Sequence, residues 1–219
     1  QLKKISNVCV VGIYDILHNK SFALSKKYQI KQFLSLQKLL QECDAVSITT
    51  PATNHFDSAS FALEENCHVF VEKPLTNSVE SAKKLITLKN SKKLKLQVGH
   101  IEQFNSAFLV FLESAPKPLF IEAHRLSPYN IRGLDVDVVF DLMIHDIDLI
   151  LSIFNKNIIN ISASGAAVLS NSTDIANAHI EFSGGTVANL VSSRISQKNL
   201  RQMRVFEKKS YSIIDFNTQ

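Results

Sequence analysis

Two stretches of the 219-residue chain carry side chains whose type and spacing suit chemistry. In CHVFVEKPLT, Cys67 to Thr76, an apolar run ends on an acid, a lysine and a proline. Proline has a locked φ and no N–H, so Pro74 ends the strand and holds Lys73 at the sheet edge, while Glu72 can bond neighbouring backbone or polar groups. A lysine in an enclosed site can stabilise a developing alkoxide or shift its own pKa; the same residue can equally be a solvated lysine that begins a loop. In FDLMIHDIDLI, Phe140 to Ile150, a rotation of about 100° per residue puts Asp141, His145 and Asp148 on one narrow helix face flanked by Leu142, Met143, Leu149 and Ile150. An imidazole four residues after a carboxylate can be oriented by it and serve as general acid or base near neutral pH. Two other readings stay open for this face: a metal site, or a hydrogen-bonded face packed under a sheet. Three ligands from one helix with no second cluster are thin support for a metal, and none is expected.

These groups need elements to hold them. Val8 to Tyr14 is a continuous apolar run of the kind shown by a strand buried on both faces, and it ends on Asp15. Helical patterns follow at Lys20 to Tyr28 and Leu34 to Glu42, then a strand at Ala45 to Thr49, a helix at Phe56 to Asn66 and a strand at Val69 to Glu72. Asn77 and Glu80 have capping-box spacing for a helix through Asn90, and Lys95 to Val98 closes the series as a strand. Strands separated by helices of this length predict a parallel, doubly wound sheet. Ligands of such sheets bind outside the carboxyl ends of the strands, where Asp15, the turn TTPATNH from Thr49 to His55, and Glu72-Lys73-Pro74 all fall. An acid at the end of the second strand of a dinucleotide fold accepts both ribose hydroxyls of NAD and repels the extra phosphate of NADP. Asp15 fits that role, and it also fits a turn or N-cap aspartate.

From about residue 101 the pattern changes. One helix over Asp141 to Phe154 precedes strand-like runs at Ile158 to Leu169, Ala176 to Phe182, Thr186 to Ser193, Met203 to Glu207 and Tyr211 to Phe216, with Gly184-Gly185 as a tight hairpin signal. The expectation is two domains, 1–100 as α/β and 101–219 as an α+β domain with an open antiparallel sheet. Composition agrees with a globular chain: 45% of the residues are hydrophobic. No apolar run approaches the ~20 residues of a membrane span, no signal-peptide pattern opens the chain, and Cys9, Cys43 and Cys67 are far apart without metal-ligand spacing. Those features predict a cytoplasmic protein with reduced thiols and no membrane partner. The net charge of +4 resides in clusters such as Lys83-Lys84 and Lys92-Lys93, without interleaved aromatics, so no nucleic-acid partner is expected.

The succession DAVSITTPATNH, VFVEKPLT, VGHIEQFN and FDLMIHDID, in this order and spacing, resembles the Gfo/Idh/MocA family of nicotinamide-dependent oxidoreductases. The likeness runs along the whole chain, and its specificity comes from the EKP strand end occurring with the Asp-x-x-x-His helix. The longer run HRLSPYNIRGLDVDVVFDLMIHDIDLIL looks most like the branch acting on nucleotide sugars, notably the UDP-N-acetylglucosamine 3-dehydrogenases. The resemblance implies a Rossmann-type domain and an open-sheet domain, NAD as cofactor in preference to NADP, a sugar or nucleotide-sugar substrate, and a homo-oligomer assembled through the sheet. Residue by residue it implies that Lys73 stands beside the nicotinamide and the reacting hydroxyl, and that Asp141 and His145 are the family's Asp and His, with His145 the proton acceptor. It implies further that Thr50, Pro51 and His55 line the cofactor with Asp15 and Glu72, and that Asn105, Arg125 and Arg132 contact substrate. Gln103 departs from the pattern, standing where that branch commonly has arginine.

A second departure concerns the start of the chain. Dinucleotide folds begin with a strand, a Gly-rich turn and a helix whose N-terminus binds the pyrophosphate. Gly12 is the only glycine before Gly99, and QLKKIS reads as the tail of that first helix. The expectation is therefore an α/β domain incomplete at its N-terminus and a second domain incomplete at its C-terminus. Two functions follow: an active dehydrogenase given without its ends, or a truncated, catalytically silent member that serves as an interaction or oligomerisation module.

Overall fold

The computed structural model describes residues 2–130, 135–154 and 156–218, and the chain divides into two units, Gln1–Gly99 and His100–Gln219. In the first, short β-branched runs pair in parallel. Strands β3 (Ala45–Ile48), β4 (His68–Val71) and β5 (Leu96–Val98) lie in that order. Helices α3 (His55–Glu64) and α4 (Val79–Ser91) bury Ala59, Ala62, Leu63 and Leu85 with Ile48, Val69 and Val71. The α4 cap is Ser78 rather than Asn77: Ser78 takes the extended conformation, and its Oγ accepts from the Ser81 N–H at 3.1 Å.

A second ladder in this unit joins β1 (Gly12–Ile13) to β2 (Lys31–Gln32) in parallel, with helix α1 (His18–Tyr28) between them and helix α2 (Leu36–Leu40) following. The strand expected over Val8 to Tyr14 narrows to the two residues that have ladder partners, and β2 shows no apolar pattern by which to foresee it. Gly12 is required by a close approach. A Cβ there would lie 2.5 Å from both the Lys31 carbonyl oxygen and the Phe33 ring.

The second unit is a six-stranded sheet in the order β11-β10-β6-β9-β8-β7. Its strands are β6 (Phe120–Leu126), β7 (Ile158–Ala166), β8 (Ile175–Phe182), β9 (Val187–Ser193), β10 (Leu200–Phe206) and β11 (Tyr211–Asp215). Only β6 and β9 run parallel, so the sheet is mixed and mostly antiparallel. Gly184 and Gly185, at φ of 85° and 79°, turn the β8–β9 hairpin. Strand β6 escapes a reading by periodicity, because its inward positions are Ile121, Ala123 and Arg125, and the arginine breaks the apolar alternation. Helices α5 (Ser106–Glu113) and α6 (Ile144–Ile153) cover one face with Phe108, Phe111, Leu149 and Ile150 against Ile121, Leu190, Met203 and Val205. Directly before α6, Val139–Met143 forms a π-helical turn, where an unbroken α-helix was expected. Among the described residues, no helix is long and apolar enough to cross a membrane.

Candidate active site

In the first unit the strand exits carry the groups of interest. Glu72 N–H bonds to the Ile48 carbonyl at 3.0 Å, which extends the β3–β4 ladder one residue towards half-buried Lys73. The Glu72 carboxylate lies over Gly99, where a Cβ would be 3.0 Å from Oε2, so glycine at the end of β5 leaves room for it. The Lys73–Pro74 peptide is cis. Buried Pro74 offers its carbonyl to His55 Nδ1 at 2.6 Å, and the other ring nitrogen meets the Thr50 carbonyl at 2.9 Å. His55 is 1% exposed. Rather than presenting a surface to a cofactor, its ring ties the turn after β3 to the corner after β4, while Thr50 and Pro51 remain exposed on that turn. Asp15, at the exit of β1, accepts from Leu17 N–H at 2.8 Å in a local turn. One carboxylate oxygen serves that bond, and a carboxylate has a second oxygen to offer a ribose hydroxyl.

The second unit holds the other groups. Asp141 sits inside the π turn and His145 in the first turn of α6; both are half-buried. Asp148, one turn further along α6, accepts from Gln103 Nε2 at 2.8 Å and lies 3.7 Å from His100 Nδ1. Arg125 is 2% exposed. Its Nε and Nη2 hold both oxygens of Asp146 at 2.8 to 3.2 Å, and Nη1 donates to Glu102 at 2.8 Å. Burial alone would lower the Arg125 pKa, and the Asp146 and Glu102 carboxylates more than reverse this. For Asp146 burial dominates and pushes the carboxyl up against the pull of Arg125. The guanidinium is charged at any physiological pH, and its two-pronged grip fits an ionised Asp146.

This arrangement changes two expectations. Arg125 has its guanidinium committed inside the unit to two carboxylates, which does not suit a fork for a substrate pyrophosphate. Asn105 is likewise interior: its Oδ1 caps α5 through Ala107 N–H at 3.1 Å, and its Nδ2 faces the Phe216 carbonyl at 3.5 Å. Arg132 lies outside the described residues.

Four buried or half-buried charged residues had no role in the sequence reading: Glu102, Asp146, Asp174 and Arg194. Asp146 was visible beside His145, but its partner Arg125 is 21 residues away in the chain, and no local pattern links the two. Arg194, just after β9, binds Asp174 through Nε at 2.9 Å. Burial alone would raise the Asp174 pKa; the Ser170 hydroxyl and the N–H groups of Ser170, Val168 and Leu169 outweigh it and hold the carboxyl well below the usual range.

Comparison with known proteins places this geometry in a family. Residues 2–100 match the model of the oxidoreductase family with an NAD-binding Rossmann fold, and residues 97–210 match the model of the GFO/IDH/MocA C-terminal domain. The chain is 36% identical over 209 residues to UDP-N-acetylglucosamine 3-dehydrogenase of Acidithiobacillus ferrooxidans, covering 94% of this chain and 66% of that protein. It is 28% identical over 169 residues to scyllo-inositol 2-dehydrogenase (NAD(+)) of Bacillus subtilis, covering 70% of this chain and 49% of that one. The chain therefore spans less than two thirds of the length of these curated relatives. A solved structure of the Acidithiobacillus enzyme superposes with a TM-score of 0.90 over 94% of this chain and 69% of that one. Scyllo-inositol dehydrogenase from Lactobacillus casei, solved with NAD(H) and scyllo-inositol, shares the fold at a TM-score of 0.83 and 20% identity, covering 97% of this chain and 70% of that one. With both halves matched in order, the chain belongs to the Gfo/Idh/MocA family of oxidoreductases.

Proposed function

We propose that this chain belongs to an NAD-dependent dehydrogenase that oxidises a secondary hydroxyl of a sugar, with the 3-hydroxyl of UDP-N-acetylglucosamine as the reacting group. The observation that carries the reading is the 36% identity over 94% of the chain to a UDP-N-acetylglucosamine 3-dehydrogenase, with Lys73, Asp141 and His145 all present. In this reading His145 takes the proton of the sugar hydroxyl, and Asp141 orients the imidazole and stabilises its charged form. The Lys73 ammonium donates to the oxygen as negative charge develops there. When bound, NAD would supply the hydride acceptor for oxidation of the carbinol carbon to a ketone. Asp15, Thr50, Pro51 and Glu72 suit a dinucleotide, since all lie at the carboxyl ends of parallel strands in one unit. The silent-module alternative is not favoured, since the groups needed for turnover remain.

The reading extends to a cytoplasmic homo-oligomer. The self-association is supported by β7, one of the two outer strands of the sheet, which is exposed along its whole length, with Ile159 at 64% and Ile161 at 58%. The test of function uses the full-length protein made from its own gene, incubated with UDP-N-acetylglucosamine and NAD while absorbance of the reduced nicotinamide is followed. Growth of that signal, absent with NAD alone, is the expected result. No reduction with any UDP-sugar or free sugar would sink the proposal.

A further inference from the structure

The helix that carries Asp141 and His145 is gripped at two points by buried guanidinium groups. One grip, Arg125 on Asp146, acts on the residue after His145. The other acts before the helix begins. Arg194 is almost fully buried, and its three nitrogens reach separate partners: Nε to Asp174 at 2.9 Å, Nη1 to the Val136 carbonyl at 2.7 Å, and Nη2 to Ser170 Oγ at 3.0 Å and Ser172 Oγ at 2.6 Å. Next to this contact, Val138 N–H bonds to the Thr173 carbonyl at 3.0 Å, and Asp137 Oδ1 accepts from the N–H groups of Val139 and Phe140 at 2.9 and 3.0 Å. The segment 136–138 is thus pinned to the β7–β8 connection, and the helix must start from that fixed point.

Between the two grips lies the π turn, where Ile144 N–H reaches the Val139 carbonyl five residues back. Such a turn holds one residue more than an α turn. Side chains on its two sides are therefore offset by about 100° from where an unbroken helix would put them. A π turn is disfavoured by itself and persists where its surroundings hold both ends. We infer that Arg194 is a positioning residue for Asp141 and His145: by holding the Val136 carbonyl it keeps the extra residue in the helix and so sets the direction of the Asp141 and His145 side chains. The consequence for turnover rests on the dehydrogenase reading; the geometric claim does not.

Arg194→Lys tests it, because a lysine can still face Asp174 but cannot also hold Val136 and the two serines as a fork does. In the full-length protein, the Hε1 proton resonance of His145 is assigned by its loss in His145→Gln and titrated in wild type and variant. The titratable and charged groups on the π turn and α6 and on elements packed near them, Asp141, Asp146, Asp148, His100, Glu102, Arg125 and Arg201, are unchanged by the substitution. The expected result is a displaced resonance with its titration midpoint moved by about half a pH unit or more. A resonance and midpoint identical to wild type would overturn the inference, even if the melting temperature falls. Should Arg194→Lys fail to fold, Ser172→Ala decides in the same way, since it removes the shorter of the two Nη2 bonds, leaves only Ser170 on that arm and so loosens the fork, and predicts a smaller shift in the same direction. Given dehydrogenase activity, kcat should drop tenfold or more with the sugar KM within about twofold. Unchanged kcat would also overturn it. A wild-type protein inactive on all sugars would sink the functional proposal while the resonance comparison still decides the positioning claim.

Discussion

Lys73 and His145 are each assigned one step of the same reaction, so removing either should stop turnover without removing the cofactor. Lys73→Ala and His145→Ala are expected to lower kcat by at least about 100-fold, the scale of a lost proton-transfer or oxyanion group, while NADH still quenches or shifts fluorescence on binding. Wild-type rates in both variants would remove these residues from the mechanism. Arg125 makes a different prediction. Its loss strands two carboxylates, one of them buried, and breaking a buried pair costs about 3–5 kcal/mol. Arg125→Met should therefore lower stability by that amount in urea unfolding; a loss below about 1 kcal/mol would show that Asp146 is neutral or solvated. Lys73, Asp141 and His145 could be put forward from the chain alone because strand ends and helical spacing are local patterns. The ties around His55, Arg125 and Arg194 could not, because each joins groups that only folding brings together.

At the scale of elements, close approaches and caps decide where strands and helices stop. Gly12 meets the Lys31 carbonyl at a distance no Cβ tolerates. Gly12→Ala must push β1 from β2, at a cost of about 1–3 kcal/mol, and a melting temperature equal to wild type would refute the tight contact. Element type was readable from periodicity along most of the chain, and α1 to α4, α6 and the hairpin at Gly184-Gly185 stand close to their expected bounds. Four features were hidden: β6, because Arg125 faces inward; β2, because two polar residues carry no pattern; α5, because its unbroken apolar run from Ala107 to Leu112 shows no period; and the π turn, because nothing in a short helical pattern marks the point where one extra residue enters.

For the molecule as a whole, acid stability follows from Asp174. Its folded pKa is depressed, so it contributes stability that is present above the unfolded value of about 3.9 and is lost as pH falls through the folded range. Asp174→Asn should be less resistant to urea than wild type at pH 7, and the gap should shrink steadily below about pH 4. A gap independent of pH would mean that Asp174 acts by packing alone. The proposed self-association through β7 gives the other global prediction. Ile161→Lys on β7 should shift the protein to a smaller species in size-exclusion chromatography, and an unchanged elution volume would place the interface elsewhere. The order of most elements and the side chains proposed for chemistry were legible in the chain, since alternation, helical spacing and strand-ending prolines act over a few residues. Which charges are consumed in building the unit, and which remain exposed to a ligand, was decided only on folding. A buried guanidinium must find its carboxylate wherever the topology brings one, and sequence separation says nothing about that.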